Sequence, residues 1–328
     1  MKAMILAAGY GTRLLPLTTR KSKVTLPLAG VPVLVRILRT FRSLGVHEFI
    51  VNLHHADDTV RACLARAGEK VVFSFEREIL GTGGALFKAK EFLDEGTFLL
   101  VNGDCYYSGF PLDQALEFHK SRNSLATMML IDMPQGEKYR GVEIDSEGRL
   151  CRIAGLPEVP GHATAPGLHF PGLHLLEPEL LEEIHPGFSD INRDIYPALI
   201  ARGAPVYGFH TKFQWLDLGT PKHYLEASHK LLLSSEYPER GAPILMGENC
   251  TVHHSALLEA PLEIGSEARI GPGCSVRGSV LGDSVILESD VFVEQSIIGD
   301  NVHLKAGSQL SRCSAVDLDG VLEIRQWE

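Results

Sequence analysis

Residues 6–14 have the sequence LAAGYGTRL, with Pro-Leu-Thr at 16–18 and a lysine at position 23. The apolar residues at 3–6 predict a β-strand that runs directly into this loop of small residues. Glycines at 9 and 11 let the backbone approach a ligand, and the amide N–H groups of such a turn attract anions. Arg13 and Lys23 add positive charge beside them. The segment therefore predicts a loop at the end of a first strand that can hold a triphosphate.

This loop matches neither of the two most familiar phosphate-binding motifs. No Gly-Lys-Ser/Thr follows it, which excludes a P-loop, and its glycine spacing differs from that of the dinucleotide fingerprint. Four more motifs lie downstream: PLAGVP at 27–32, LGTGGA at 80–85, VNGD at 101–104 and WLDLGTP at 215–221. Together and in this order, they make nearly the whole chain resemble the sugar-1-phosphate nucleotidylyltransferases, also called nucleotide-sugar pyrophosphorylases.

The first 233 residues alternate between strand-like and helix-like segments. Short apolar runs at 49–53, 71–75, 98–102 and 125–131 suit strands that are buried on both faces of a sheet. The alternation predicts a layered α/β domain, whose ligands bind outside the carboxyl ends of the strands. The resemblance implies that residues 1–233 form a Rossmann-like nucleotidyltransferase domain with a mixed central sheet.

A different pattern follows a stretch rich in proline, glycine and charge at 234–243, which we interpret as a linker. From residue 244 onwards, apolar residues recur at intervals of six, at 246, 252, 258, 264, 270 and 276. The register then slips by one residue to 281, 287 and 293, and again to 298, 304 and 310. A left-handed parallel β-helix, with three short strands per coil, has this period. We therefore predict such a β-helix over residues 244–328. Because its coil edges need cover, we expect it to assemble the protein into a homo-oligomer.

Composition and charge exclude several classes of partner. The chain has 328 residues and a formal net charge of −10, so that general binding to nucleic acid or to an anionic membrane is not expected. The six cysteines contain no C-x-x-C pair, as is typical of a reducing compartment. The sequence contains no signal-peptide core and no apolar run long enough to span a bilayer. We expect a cytoplasmic protein.

The resemblance implies a reaction between two polyanions, in which an oxygen of a sugar 1-phosphate attacks the α-phosphorus of an NTP and pyrophosphate leaves. Such chemistry needs positioning and cations rather than an acid–base pair. Arg13 is assigned to the β- and γ-phosphates, and Lys23 to the α-phosphate or the sugar phosphate. Asp104 and Asp217, each in an apolar setting, are the predicted ligands of Mg²⁺. These four residues are the predicted catalytic set.

The other predicted site residues follow from the motifs that carry the resemblance. The nucleotide-binding residues are taken from the first loop and from the segment around position 80: Ala8, Gly9, Gly11, Thr12, Arg13, Glu76, Gly81 and Thr82. The substrate-binding residues, on the sugar side, are Gly83, Asn102, Gly141 and Glu143.

The chain departs from the family pattern at two elements of the sugar pocket. The family's Glu-Lys-Pro element, whose glutamate holds sugar hydroxyls and whose lysine holds phosphate, has no counterpart in RIAGLP at 152–157. The asparagine of its Asn-Ala-Gly-Ile-Tyr element is absent from FPGLH at 170–174. The sequence therefore leaves open the nucleobase, the sugar, the oligomeric state and any allosteric regulation.

Several activities compete within these bounds. The segment FSFE at 73–76, followed by LGT at 80–82, most resembles the mannose-1-phosphate guanylyltransferase branch, which implies use of GTP and synthesis of GDP-mannose. The Gly-Gly pair at 83–84 is shared with uridylyltransferases that act on N-acetylmuramic acid 1-phosphate and with heptose-1-phosphate guanylyltransferases. Two alternatives from other classes are a non-catalytic paralogue that senses nucleotide sugars, and acyl transfer by the β-helix.

Overall fold

We describe the protein from a computed structural model, which covers residues 1–136, 139–158, 167–233 and 243–327. The chain forms two compact units. The first unit comprises residues 1–9 and 34–215, and the second comprises residues 10–33 and 216–328. The linker predicted at 234–243 lies, except for its last residue, outside the described residues. The domain boundaries inferred from the sequence stay a prediction.

Strands and helices alternate along the first part of the chain. Its strands are β1 (Lys2–Leu6), β2 (Pro27–Leu28), β3 (Val31–Pro32), β4 (Glu48–Leu53), β5 (Val72–Phe75), β6 (Phe98–Asn102), β7 (Cys105–Ser108), β8 (Ala126–Leu130), β9 (Val142–Ile144), β10 (Leu150–Ile153), β11 (Leu173–Leu176), β12 (Val206–His210) and β13 (Gln214–Asp217). The α-helices are α1 (Val33–Ser43), α2 (Asp57–Arg66), α3 (Gly81–Lys88), α4 (Leu112–Ser121), α5 (Tyr196–Ala201) and α6 (Pro221–Leu233). Shorter helical turns occupy Thr12–Leu14, Lys23–Thr25, Pro178–Glu183 and Ile191–Ile195.

The first unit is built on a seven-stranded sheet with the strand order β12-β8-β11-β6-β1-β4-β5. Strand β11 runs antiparallel to both of its neighbours and the other pairs are parallel, which confirms the predicted mixed sheet. Strand β8 is buried along its whole length, and β6 is buried at every position before Asn102. This burial on both faces is the reason why the strands have continuous apolar sequences.

The second unit contains the predicted left-handed parallel β-helix. Its strands are β14 (Ile244–Met246), β15 (Thr251–Val252), β16 (Leu257–Glu259), β17 (Leu262–Ile264), β18 (Arg269–Ile270), β19 (Ser275–Arg277), β20 (Val280–Leu281), β21 (Ile286–Leu287), β22 (Phe292–Glu294), β23 (Ile297–Ile298), β24 (His303–Leu304), β25 (Gln309–Ser311), β26 (Cys313–Leu318) and β27 (Val321–Gln326). They form three sheets in the orders β14-β17-β20-β23-β26-β27, β15-β18-β21-β24 and β16-β19-β22-β25. The chain visits the three sheets in turn, so that three short strands make one coil.

The predicted apolar positions stack in columns from coil to coil. Leu258 pairs with Val276, 18 residues later, and Val276 pairs with Val293, 17 residues later. In a second column, Ile264 pairs with Leu281. All of these side chains except Leu258 are at most 2% exposed. The buried columns form the core of the β-helix. They explain why apolar residues recur at intervals of six along the sequence.

Strands β26 and β27 form an antiparallel hairpin that the repeat pattern does not predict. They are joined by Asp319 and Gly320, whose φ angles are +58° and +82°. Positive φ at both central residues is characteristic of a type I′ turn, for which Asp-Gly is a preferred sequence. Strand β27 is the last strand of its sheet and is exposed at all six residues.

Residues 10–33, which hold most of the phosphate-loop motif, pack on the β-helix. Three leucines of this segment belong to one buried cluster together with residues of α6 and of three β-helix strands. The buried members are Leu14, Leu17, Leu26, Tyr224, Leu225, Val280, Ile297 and Val316. The segment is therefore part of the core of the second unit.

Candidate active site

One edge of the seven-stranded sheet collects several of the predicted residues. Strands β5, β4, β1 and β6 are neighbours and run parallel, so that their carboxyl ends lie at the same edge. Ala8 and Gly9 follow β1, Glu76 follows β5, and Asn102 ends β6, with Asp104 two residues beyond it. This is the edge at which parallel sheets bind their ligands.

A buried hydrogen-bond chain ties the loops at this edge together. The backbone N–H of Ala7 donates to Oδ1 of Asn52 (2.7 Å), and Nδ2 of Asn52 donates to Oε1 of Glu76 (2.8 Å). The second carboxylate oxygen of Glu76 accepts from the backbone N–H of Leu80 (3.0 Å). Glu76 is only 1% exposed. Its carboxylate therefore positions the loops after β1 and before α3. Asn52 is not among the predicted site residues, because its one signal in the sequence is an amide inside an apolar run.

The glycines at the start of α3 are required by contact with the segment at 187–189. The backbone N–H of Gly83 donates to the carbonyl of Ser189 (2.9 Å), and a Cβ at Gly83 would lie 2.5 Å from Oγ of Ser189. A Cβ at Gly81 would collide with the carbonyl of the same serine. The Thr82 hydroxyl accepts from the backbone N–H of Ile191 (2.8 Å). Intramolecular packing thus accounts for the absence of side chains at Gly81 and Gly83.

Asn102 is held by the segment FPGLH at 170–174, the element that lacks the family's asparagine. Its backbone N–H donates to the carbonyl of Gly172 (2.9 Å), and a Cβ at Gly172 would collide with the Asn102 side chain. The Tyr107 hydroxyl donates to the carbonyl of Pro171 (3.0 Å). The sequence FPGLH therefore packs directly against Asn102.

Gly141 precedes β9 and Glu143 belongs to it, and residues of the partner strand β10 line a cavity of about 940 Å³. A Cβ at Gly141 would lie 2.6 Å from Cα of Gly167. Oε1 of Glu143 accepts from Nη1 of Arg152 (3.4 Å), a side chain that lines the cavity. Two further arginines, Arg140 and Arg193, also line it. Three guanidinium groups against the one carboxylate of Glu158 leave the lining with an excess of positive charge, which favours anions.

In the second unit, the phosphate-loop motif closes on itself. The Thr18 hydroxyl donates to the carbonyl of Gly11 (2.9 Å), and the N–H of Leu14 donates to the same carbonyl (2.8 Å). Gly11 has a φ of +65°, and a Cβ there would lie 3.0 Å from Thr18 and 3.4 Å from Cβ of Lys23. The loop therefore needs glycine at this position, and it brings Lys23 beside Gly11. Thr12 and Arg13, the next two residues, are exposed.

Arg13 and Asp217 come together at Gly219. A Cβ at Gly219 would lie 2.8 Å from Cζ of Arg13 and 3.0 Å from Oδ1 of Asp217. Oδ1 of Asp217 accepts from the N–H of Gly219 (2.8 Å), and Oδ2 lies 3.1 Å from Nδ1 of His223. These contacts fix the carboxylate of Asp217 next to a guanidinium. His223, in the first turn of α6, is not among the predicted site residues.

The hairpin β2–β3, which carries the PLAGVP motif, is held by a residue of the β-helix. The N–H groups of Ala29 and Gly30, at the hairpin turn, donate to the two carboxylate oxygens of Glu263 (3.0 and 2.7 Å). The Ser228 hydroxyl donates to the same carboxylate (3.0 Å), which is buried.

Tyr224 provides a second contact to this hairpin, because its hydroxyl donates to the carbonyl of Pro27. Burial, with the carboxylates of Glu263 and Asp300, raises the pKa of Tyr224 well above its usual value. Tyr224 is thus a neutral donor.

We expect Glu263→Gln to lower the free energy of unfolding by about 1–3 kcal/mol. Because the two backbone N–H groups point at different carboxylate oxygens, either orientation of a glutamine amide places its NH₂ group against one of them. Ser228→Ala is the matched control, since it removes one donor and leaves both backbone contacts; its effect should be smaller. Denaturant unfolding of the three proteins measures both effects, and a Glu263→Gln protein as stable as the wild type would contradict the assignment.

Asp104 and Asp217 each carry hard oxygen donors, the kind of ligand that Mg²⁺ prefers. Among the described residues, no group of three or more histidine, cysteine, aspartate or glutamate side chains could surround an ion. Mg²⁺ needs only one or two carboxylates, because phosphates and water complete its coordination. Asp104 and Asp217 could supply such carboxylates.

Across the ranges that the structure covers, no helix has both the length and the apolar character of a membrane span.

Comparison with protein families shows which family this chain belongs to. The profile of the family "Nucleotidyl transferase" matches residues 2–234, more than half of the chain. The chain belongs to the nucleotidyl transferase family. It is therefore a nucleotidyltransferase, and the resemblance inferred from its motifs is confirmed.

Relatives of this nucleotidyltransferase are similar over most of their length. A UTP–glucose-1-phosphate uridylyltransferase of Synechocystis is 29% identical, with 94% of this chain and 86% of the relative covered. A mannose-1-phosphate guanylyltransferase of Mycobacterium tuberculosis is 30% identical, with 89% and 83% covered. The crystal structure of HddC from Yersinia pseudotuberculosis, also solved as a complex with GMP-PN, matches with a TM-score of 0.60 at 25% identity. The match covers 70% of this chain and 99% of HddC.

Proposed function

We propose that this nucleotidyltransferase transfers a nucleoside monophosphate from an NTP to a sugar 1-phosphate, with release of pyrophosphate and formation of an NDP-sugar. The observation that carries the proposal is the match of about nine-tenths of the chain to relatives whose names state this reaction on glucose 1-phosphate or mannose 1-phosphate. In the step, an oxygen of the sugar phosphate bonds to the α-phosphorus. The bond from that phosphorus to the oxygen bridging to the β-phosphorus breaks, and pyrophosphate takes this oxygen.

The proposed roles of the basic residues follow from their places in the loop. Arg13 binds the β- and γ-phosphates, where its planar fork suits the leaving pyrophosphate. Lys23, beside Gly11, binds the α-phosphate or the incoming sugar phosphate. The backbone of Ala8, Gly9, Gly11 and Thr12 cradles the triphosphate. These groups position two polyanions and offset their repulsion.

Asp104 and Asp217 are the proposed ligands of Mg²⁺. When bound, the ion neutralises negative charge on the phosphate oxygens. Asp217 suits this role because the Gly219 N–H and His223 hold its carboxylate in one orientation. Asp104 suits it because it lies just beyond Asn102, at the edge where parallel sheets bind ligands.

On the sugar side, we assign the cavity beside β9–β10 to the sugar phosphate. Gly141 and Glu143 adjoin it, and Glu143 orients Arg152 through their ion pair. Arg152 belongs to the segment 152–157, in which the family's Glu-Lys-Pro is missing. We infer that arginines take over phosphate binding from the absent lysine. We also propose that Gly83 and Asn102 contact the substrate and that Glu76, Gly81 and Thr82 border the nucleotide.

GTP and mannose 1-phosphate are the substrates that we favour. The sequence FSFE at 73–76, the mannose-1-phosphate guanylyltransferase relative and the HddC complex with GMP-PN support this choice. The uridylyltransferase relative supports UTP with glucose 1-phosphate as the alternative.

We further propose that the protein is a cytoplasmic homo-oligomer. Its catalytic part comprises residues 1–233, its linker residues 234–243, and the β-helix at 244–328 is the assembly module.

A screen of pyrophosphate release tests the proposal. Purified protein with Mg²⁺ is incubated with each common NTP and a panel of sugar 1-phosphates. We expect release that requires both substrates and is fastest with GTP and mannose 1-phosphate. Fastest release with another pair would correct the substrates and keep the reaction. If no pair releases pyrophosphate while the protein still binds an NDP-sugar, the protein is a sensor and the proposed activity is wrong.

A further inference from the structure

Strand β27 presents an unusual edge at the end of the β-helix sheet. It is the terminal strand of the order β14-β17-β20-β23-β26-β27, and its partner within the described chain is β26. The apolar side chains of Val321, Leu322 and Ile324 are 68%, 39% and 47% exposed. An edge strand with exposed apolar residues is a template for pairing with another strand.

The hairpin determines which backbone groups point outward. Leu318 and Val321 close the two-residue turn, and Val316 pairs with Glu323 two residues further along. In an antiparallel pair, hydrogen-bonded and non-hydrogen-bonded positions alternate, starting with a bonded pair at such a turn. Residues 321, 323 and 325 therefore bond to β26. The N–H and C=O groups of residues 322, 324 and 326 point to the open edge.

We propose that β27 pairs antiparallel with β27 of a second copy of this chain, about a two-fold axis at Ile324. In this register, Ile324 faces Ile324 of the second copy, and Leu322 faces Gln326. All three outward-pointing positions of each strand then form hydrogen-bonded pairs. The two β-helices share one continuous sheet. The proposal specifies the interface of the proposed oligomer and is independent of the reaction.

Charge complementarity selects this register over its neighbours. With the axis at Ile324, Glu323 of each copy lies directly opposite Arg325 of the other, which gives two attractive pairs at the closely spaced, non-hydrogen-bonded positions. A shift of the axis to residue 323 would place glutamate opposite glutamate. A shift to residue 325 would place arginine opposite arginine. Like charges directly opposite destabilise a sheet, so that both shifts are disfavoured.

The hairpin leaves these two charges available for a second copy. On β26, the residues opposite Glu323 and Arg325 are Val316 and Ser314, neither of which carries a charge. Within the part of the chain that the structure describes, neither side chain forms an ion pair, and both are exposed. Because Glu323 and Arg325 lie on either side of Ile324, an antiparallel second copy places each charge opposite its counterpart.

Charge reversal followed by charge exchange tests this interface. Sedimentation velocity over a dilution series measures the dimer dissociation constant of the full chain. Glu323→Lys and Arg325→Glu each turn two attractive pairs into two repulsive pairs, and each should raise this constant on the order of 10- to 100-fold. The double variant Glu323→Lys/Arg325→Glu restores opposite charges across the axis and should return the constant to near the wild-type value. Glu91→Lys, an equal charge change at an exposed position of the first unit, should have no effect.

Ile324→Pro is a second, backbone-directed variant. The N–H of residue 324 points away from β26, so that proline removes a bond across the axis and spares the hairpin. It should yield a monomer whose thermal unfolding is close to that of the wild-type monomer. A wild-type chain that is monomeric at all concentrations, a dimer insensitive to both charge reversals, or a double variant that does not recover would each overturn the proposal.

Discussion

Asp104→Ala and Asp217→Asn should each lower Mg²⁺-dependent turnover on the order of 10³-fold or more. Each change removes one of the two anionic oxygen donors proposed to hold the ion. Loss of charge neutralisation on the phosphates then raises the free energy of the transition state by several kcal/mol. Steady-state rates at several Mg²⁺ concentrations measure the effect.

The asparagine at position 217 separates chemistry from folding. Its Oδ1 can still accept from the Gly219 N–H, so that the turn before α6 is kept while the negative charge is lost. Asp113→Asn, the same change at an exposed position of α4, is the matched control and should have normal turnover. If either site variant retains turnover within tenfold of the wild type and melts normally, that aspartate is not a metal ligand.

Arg13→Lys should slow turnover roughly 10- to 10³-fold, although the charge is retained. The Arg13 guanidinium lies against Gly219, next to the carboxylate of Asp217. A lysine ammonium lacks the second prong with which arginine binds two phosphate oxygens. We therefore expect slower release of pyrophosphate and a smaller change in the KM for sugar phosphate.

Arg20→Lys is the control from the same segment. Nη1 of Arg20 donates to Oδ1 of Asp319 (2.8 Å), and the side chain is exposed. Its replacement should leave both the rate and the KM values close to those of the wild type. Equal rates for Arg13→Lys and the wild type would mean that Arg13 does not bind the leaving group.

Local patterns in the sequence account for most of the fold. Buried strands have continuous apolar runs, and each coil of the β-helix needs apolar residues at the same three corners. Both patterns act over a few residues and can be recognised without knowledge of the rest of the chain. The hairpin β26–β27 also has a local signal, Asp319-Gly320 between apolar residues, but this signal lies outside the hexapeptide repeat.

Contacts between distant parts of the chain could not be predicted in this way. Glu263 lies next to Ile264 in a β-helix strand, and its partners Ala29 and Gly30 are more than 230 residues away. Nothing near position 263 indicates that its carboxylate holds the PLAGVP hairpin. For the same reason, the sequence could not show that residues 10–33 belong to the unit that contains the β-helix.

The glycine-rich motif at 80–85 illustrates a different limit. A glycine in a loop shows that something approaches the backbone closely, but it does not identify what approaches. At Gly81 and Gly83 the structure places Ser189 of the same chain there. A pattern of glycines alone therefore cannot distinguish ligand contact from internal packing.

The most direct test of nucleotidyl transfer follows isotopic oxygen from substrate to product. The enzyme is incubated with GTP, Mg²⁺ and mannose 1-phosphate whose non-ester phosphate oxygens are ¹⁸O, and the products are analysed by mass spectrometry. Attack by the sugar phosphate on the α-phosphorus predicts GDP-mannose that retains every labelled oxygen, together with unlabelled pyrophosphate. Label in the pyrophosphate, or release of GMP without a sugar nucleotide, would contradict the account.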